Sequence, residues 1–379
     1  MSWTRREWIT HVTTALAAGA TGVSAAQTPA ADTRAAAAPG RHVPWLAAVQ
    51  RPPAMAAFVA APPSFLSPLL VDARGSAIST TAAWRERRDD VARLWRQRLG
   101  VFDVQRGAAP RVRVLDEDRV GDVVRQRVRY EVARGVPTEA YLLRPRGPGR
   151  ERPGVVVFHS TVDYSIRQPA GLEGVREKHF GLLLAQRGFV ALCPRNFLWP
   201  TNDRLAAQDE MRRLRARHPQ AYGMARMLHD GQVALDVLAA QRDVDDARLA
   251  CIGHSLGAKE ALYLAAFDTR VRATVSSEGG IGTGFSNWDA EWYLGESVGQ
   301  LPPGSDHHEV LALVAPRPFL LVGGDSADGA ASWPYVSAAM DVYRLYGAPA
   351  PLGFLNHHAG HAVPPDVLPR LLDWLETYT

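Results

Sequence analysis

The chain has 379 residues, 46% of them hydrophobic and 22% charged, which fits one domain of roughly 270 residues with a sizeable core, plus extensions. Its formal net charge of +4 is mild and spread along the chain, so no nucleic-acid partner is implied. Only Lys178 and Lys259 of the 43 cationic residues are lysines, so the place of each is informative.

Residues 1–26 read as a cleaved export signal. Arg5 and Arg6 are adjacent, a weakly apolar stretch follows, and the small residues Ser24, Ala25 and Ala26 close it. The arginine pair indicates the twin-arginine route, hence a periplasmic or secreted protein. The apolar stretch is too short and too rich in Ala, Gly and Thr to span a membrane. Residues 27–42, rich in Ala, Pro and Thr, form a linker. An extension over 43–110 contains the helical pattern TTAAWRERRDDVARLWRQRLG, with Trp84, Val91, Leu94, Trp95 and Leu99 on one side.

The main domain, 111–379, opens with VVRQRVRYEVA and VPTEAYLLRP, which alternate like an antiparallel hairpin across Arg134-Gly135. Continuous apolar runs then alternate with helical ones. GVVVFHS, FVALCP, RLACIGHS, VRATVSS and PRPFLLVGG are strands, and HFGLLLAQRG, AYGMARMLHDGQVALDVLAAQ and LGAKEALYLAAF are helices. Apolar strands separated by helices predict a mostly parallel central sheet with helices on both faces, preceded by the antiparallel hairpin. That is the strand order of an α/β-hydrolase. Cys193 and Cys251 fall on strands with a third strand between them. Second neighbours lie roughly 10 Å apart, beyond the ~7 Å a disulfide spans, so two free buried thiols are expected.

GHSLG, residues 253–257, matches G-x-S-x-G at a strand end and at a helix start. This strand–turn–helix is what a nucleophile elbow requires, and it makes Ser255 the candidate nucleophile. The alternative, a serine capping the helix of a nucleotide-binding turn, lacks the G-x-G-x-x-G loop. The amide of Leu256, directly after the serine, is the first expected oxyanion donor. The second is expected in HSTVD after the strand GVVVFHS, at Thr161 or alternatively at Ser160.

His361 lies in NHHAGHAVPP, between the last strand, PLGFLNH, and the terminal helix. It is the expected general base, last in the order Ser, acid, His. His357 and His358 are expected to close the strand and line the pocket. No matching Cys or carboxylate cluster accompanies these histidines, so no metal is expected, and a Ser-His-acid mechanism needs no organic cofactor. Asp328 leads as the acid, 73 residues after Ser255 in the turn after PRPFLLVGG. Asp325 in the same turn and Glu278, at the end of the preceding strand, remain alternatives.

Residues 253–280 resemble bacterial carbohydrate esterases, particularly glucuronoyl esterases, in having Lys259 four residues after the serine and Glu278 at the next strand end. DHHEVLALVAPRPFLLVGG resembles the same family and the acetyl xylan esterases, and residues 159–194 are closer to dienelactone hydrolases. The resemblance spans roughly 110–379 and implies an exported serine ester hydrolase acting on small or carbohydrate-linked esters, acetyl or uronate. A dienelactone hydrolase proper would carry cysteine where Ser255 stands. Leu256 occupies the position where a glucuronoyl esterase carries arginine. Lys259 is then either a ligand for a substrate hydroxyl or a surface residue paired with an acid such as Glu278. Arg195, Trp199, Trp288 and His307 are further candidates for substrate contact, with the tryptophans as a stacking platform. Another acyl hydrolase of the same fold, such as a peptidase, and a non-catalytic binding protein are the competing readings.

Overall fold

The computed structural model describes residues 41–53, 65–147, 149 and 151–379. The export signal over 1–26 and the linker up to residue 40 lie outside the described residues. Three antiparallel strands lead the sheet: β1 (Arg113–Val120), β2 (Val123–Ala133) and β3 (Val136–Pro145). Six parallel strands follow: β4 (Arg152–Phe158), β5 (Val190–Pro194), β6 (Val244–His254), β7 (Val271–Ser277), β8 (Phe319–Gly323) and β9 (Leu352–Asn356). They hydrogen-bond in the order β1-β2-β3-β5-β4-β6-β7-β8-β9.

Among the described residues eight α-helices accompany the sheet: α1 (Thr81–Leu99), α2 (Phe180–Gln186), α3 (Ala207–Arg217), α4 (Gly223–Ala239), α5 (Leu256–Phe267), α6 (His308–Ala312), α7 (Trp333–Arg344) and α8 (Leu368–Tyr378). Alternate residues of β4 separate two cores. Val156 and Phe158 join the side covered by α1, α4, α5 and α7, whereas Val155 and Val157 join the side covered by α2 and α8. A strand buried on both faces has no polar positions to alternate, which is why its sequence is a continuous apolar run. α1 begins where the Thr80 side chain accepts from the Ala83 amide, and it buries Trp84, Val91, Trp95 and Leu99. Among the described residues no helix is long and apolar enough to cross a membrane.

The hairpin falls at Arg134-Gly135 as expected, and Gly135 takes φ +73° there. β1 is an addition to that expectation. It is mostly exposed and charged, RVLDEDRV, as suits an edge strand protected against pairing with another chain. Its lack of an apolar face hides it from a periodicity reading. Cys193 on β5 and Cys251 on β6 flank β4, and both are free and buried.

Candidate active site

β6 ends at His254 and α5 begins at Leu256, so Ser255 alone makes the turn. It does so at φ +59°, ψ −119°, a conformation that side-chain-bearing residues rarely hold. The flanking glycines explain how the turn closes. A Cβ on Gly253 would stand 2.1 Å from the Gly257 carbonyl oxygen, and one on Gly257 would stand 2.6 Å from that of Phe158. Ser255 occupies the N-cap position, yet its side chain makes no capping hydrogen bond. Its amide donates to the Ser277 carbonyl at 2.8 Å, which locks the turn to β7. The hydroxyl is thus placed at the C-terminal sheet edge without a structural duty in the helix.

Glu278 follows β7 directly, at φ +54° and 1% exposed. Its Oε1 accepts from the Gly324 amide, and its Oε2 accepts from the Ala327 amide at 2.7 Å. The same Oε2 meets His361 Nδ1 at 3.1 Å. Two backbone donors fix the carboxylate, and the carboxylate fixes one nitrogen of an imidazole whose side chain is 43% exposed. The His361 ring also lies against buried His254, with centroids 4.8 Å apart. Burial pushes the His254 pKa well below its ordinary value, keeping that neighbour neutral.

Of the three candidate acids, Glu278 is the one that His361 meets. Asp328 accepts from the amides of Gly280 and Ile281, at 2.7 and 2.9 Å, and from the Ser332 hydroxyl at 2.8 Å. It ties the turns after β7 and β8 together, while His361 meets Glu278 instead. Burial pushes the Asp328 carboxyl up to about 6. Asp325 is engaged elsewhere too, by Asn356 Nδ2 at 2.6 Å and by His358 Nδ1. His357 Nδ1 accepts from the Ala359 amide. The three histidines of HHAGH therefore serve three separate contacts.

The loop after β4 is braced from several sides. The Asn196 amide donates to His159 Nε2 at 3.2 Å, so the His159 proton sits on Nδ1 and is donated to the Ser160 carbonyl at 2.7 Å. Burial holds that imidazole neutral, with its pKa near 4. The Ser160 amide donates to Gln168 Oε1 at 3.0 Å. That bond commits the Ser160 amide. The Leu256 amide belongs to the first turn of α5, which lacks intrahelical acceptors.

Several residues expected to meet substrate are interior. Trp199 is buried and donates its Nε1 hydrogen to the Val162 carbonyl. Trp288 is buried and donates to the Gly280 carbonyl at 2.8 Å, and His307 is packed between Trp95 and Trp288. The stacking platform expected from the two tryptophans is therefore absent from the surface; these rings pack long loops onto the sheet. Lys259 is 4% exposed, so it is no surface lysine, and it does not pair with Glu278. Its Nζ donates to Ser286 Oγ at 2.7 Å and lies 3.9 Å from the Trp288 ring centroid and 4.6 Å from that of Tyr293. Burial pushes its pKa down to about 7, against the pull of Asp328 and Asp289. Arg195 stands at the end of β5, where its Nη1 donates to Asn202 Oδ1 at 3.2 Å.

The other lysine has a place at the same site. Lys178, in the loop between β4 and α2, donates from Nζ to the His361 carbonyl at 3.2 Å. Burial pushes its pKa down while the charge of Glu278 draws it back. It connects the loop bearing Thr161 to the loop bearing His361. A lone lysine in a charged loop segment, VREKH, carries no local signal for this.

The pattern of the dienelactone hydrolase family matches residues 138–289, which include most of the hairpin's second strand, the elbow and Glu278. The carbohydrate esterase MZ0003, from an unknown prokaryotic organism, is 29% identical over 136 residues, covering 30% of this chain and 31% of that protein. The chain therefore spans about a third of the length of this curated relative. In three dimensions a glucuronoyl esterase from Solibacter usitatus superposes with a TM-score of 0.66 at 15% identity, covering 83% of this chain and 98% of that one. A CE15 glucuronoyl esterase from Teredinibacter turnerae T7901 gives 0.61 at 21% identity, covering 82% and 88%. The fold is that of an α/β-hydrolase. On this fold the elbow, the carboxylate and the histidine come from the ends of β6, β7 and β9, all on one sheet edge.

Proposed function

We propose that the protein is an exported serine ester hydrolase acting on carbohydrate-linked esters. One observation carries the reading: a strained, uncapped Ser255 on the β6–α5 elbow stands on the same sheet edge as a histidine fixed by a buried carboxylate. Ser255 Oγ attacks the ester carbonyl carbon, and its proton passes to Nε2 of His361. Glu278 holds the other ring proton at Nδ1 and stabilises the imidazolium that forms. The amides of Leu256 and Thr161 receive the oxyanion. The intermediate collapses, the alcohol leaves with the proton from His361, and water releases the acyl group through the reverse sequence.

The carbohydrate side of the reading rests on the likeness to the curated carbohydrate esterase, and the hydrolase side also on the dienelactone hydrolase match. Export rests on the arginine pair and the small residues of the first 26 positions. The test is covalent labelling with a fluorophosphonate, followed by initial rates on an acetylated sugar and on an alkyl glucuronate. Labelling that disappears in Ser255→Ala, with turnover of either ester, is the expected result. No labelling and no turnover would leave a binding protein on a hydrolase fold. The preferred ester then separates deacetylation from uronate-ester cleavage, where Leu256 replaces a guanidinium.

A further inference from the structure

The geometry points to a second binding site, for the carboxylates of an acidic saccharide chain, in the cleft between the β2–β3 hairpin and the loop after β5. The cavity there has a volume of about 860 Å³ and is lined by Arg127, Arg129, Arg167 and Arg195 around Glu139 and Asn202. That size is in the range of small-ligand sites. The lining holds four arginines and two carboxylates, Glu139 and Asp203, with Asp116 and Glu173 pairing Arg127 and Arg167 beside it, and Asp203 accepts from the Thr201 hydroxyl at 2.6 Å.

Glu139 is the organiser. It accepts from Arg129 at 2.6 Å, from Arg127 at 3.3 Å and from Asn202 at 2.7 Å. Burial alone would raise its pKa, yet these donors and the charge of Arg195 hold it below the usual range. It therefore stays ionised and preorganises the guanidinium forks. Arg127 also meets Asp116, and Arg167 meets Glu173, on the rim, whereas Arg195 donates to the neutral Asn202. Exposed pairs of that kind are weak, so an incoming carboxylate can compete for these donors. Planar guanidinium forks suit planar carboxylates. Leu172, 40% exposed, with Pro200 and Tyr141 gives the apolar surface against which a sugar ring packs.

The cleft lies on the same sheet edge as Ser255. The Arg195 amide donates to the Glu139 carbonyl at 3.0 Å, and β5 is separated from β6 by β4 alone, a distance of roughly 10 Å. The loop after β4 reaches both places, with Thr161 at one end and Arg167 and Leu172 at the other. An acidic chain with its esterified unit at Ser255 would lay neighbouring uronates over the arginines. This use of the cleft rests on the ester hydrolase reading, but the binding itself does not require turnover.

The experiment is titration calorimetry on full-length Ser255→Ala protein with an unesterified oligogalacturonate, a neutral xylo-oligosaccharide and inorganic phosphate. Saturable binding of the oligogalacturonate that weakens with salt is expected, with the neutral sugar at least tenfold weaker. Arg167→Gln, on the exposed rim, and Arg195→Gln should each weaken it about tenfold or more, with unchanged circular dichroism. Equal binding of acidic and neutral sugars, or variants that bind like the parent, would overturn the site. Phosphate binding as tightly as the oligogalacturonate would overturn its saccharide assignment. Fluorophosphonate labelling of the parent protein separates failure here from failure of the esterase reading.

Discussion

At the scale of single residues, Glu278 and Asp328 are both buried carboxylates with backbone donors, and only one of them meets His361. Glu278→Gln should lower kcat by about 10³–10⁴-fold, because the amide no longer stabilises imidazolium or enforces the tautomer. Asp328→Asn should act mainly on stability, since one of its two acceptor atoms becomes a donor facing other donors. Initial rates and thermal melting on both variants check this; an inactive but equally stable Asp328→Asn would reverse the assignment. Lys259 gives a pH signature of opposite character to a salt-bridged lysine. Its folded pKa lies near 7, below the ordinary lysine value of 10.5, so the ammonium opposes folding. That penalty is fully present below pH 7 and fades as pH rises towards 10.5. Lys259→Met should therefore gain on the order of 3–5 kcal/mol relative to the parent at low pH, and the gain should shrink at high pH. Denaturant unfolding at about pH 6 and pH 9.5 measures it, and a gain independent of pH would refute the charge argument.

The elements show why those residues meet. The elbow depends on β6 and α5 approaching more closely than side chains allow, which is a property of Gly253 and Gly257 together. Gly253→Ala forces a backbone shift at Ser255, so we expect lost activity together with a stability loss of about 1–3 kcal/mol or more. Loss of stability with full activity would mean that the turn tolerates the shift. α1 reaches the opposite side of the same region. Trp95 donates to Glu309 Oε2 at 2.9 Å and stacks on His307 at 4.7 Å, and His307 packs on the Trp288 that underlies Lys259. Trp95→Ala should cost about 3–5 kcal/mol, measured by chemical denaturation. The apolar stripe of α1 was legible from helical spacing. What it packs against was not, because Glu309 lies 214 positions away.

Over the whole molecule, one sheet with a core on each face buries both thiols completely. Burial pushes Cys251 up to about 12 and Cys193 higher still. Neither should react with a disulfide reagent in the native state, and in denaturant the reaction should follow global unfolding. Rapid native-state modification would show that the sheet opens locally. The sequence by itself determined the parallel sheet, the strand–turn–helix around Ser255 and the separation of the cysteines, because each follows from local periodicity or from spacing along one strand. Only the tertiary structure decided the partner of His361, the burial of Lys259, Trp199 and Trp288, the bond from Lys178 to the His361 loop and the arginine cleft beside β5. Those depend on side chains from strand ends and loops far apart in the chain, where a difference of a few ångströms selects one carboxylate over another and no local pattern records it.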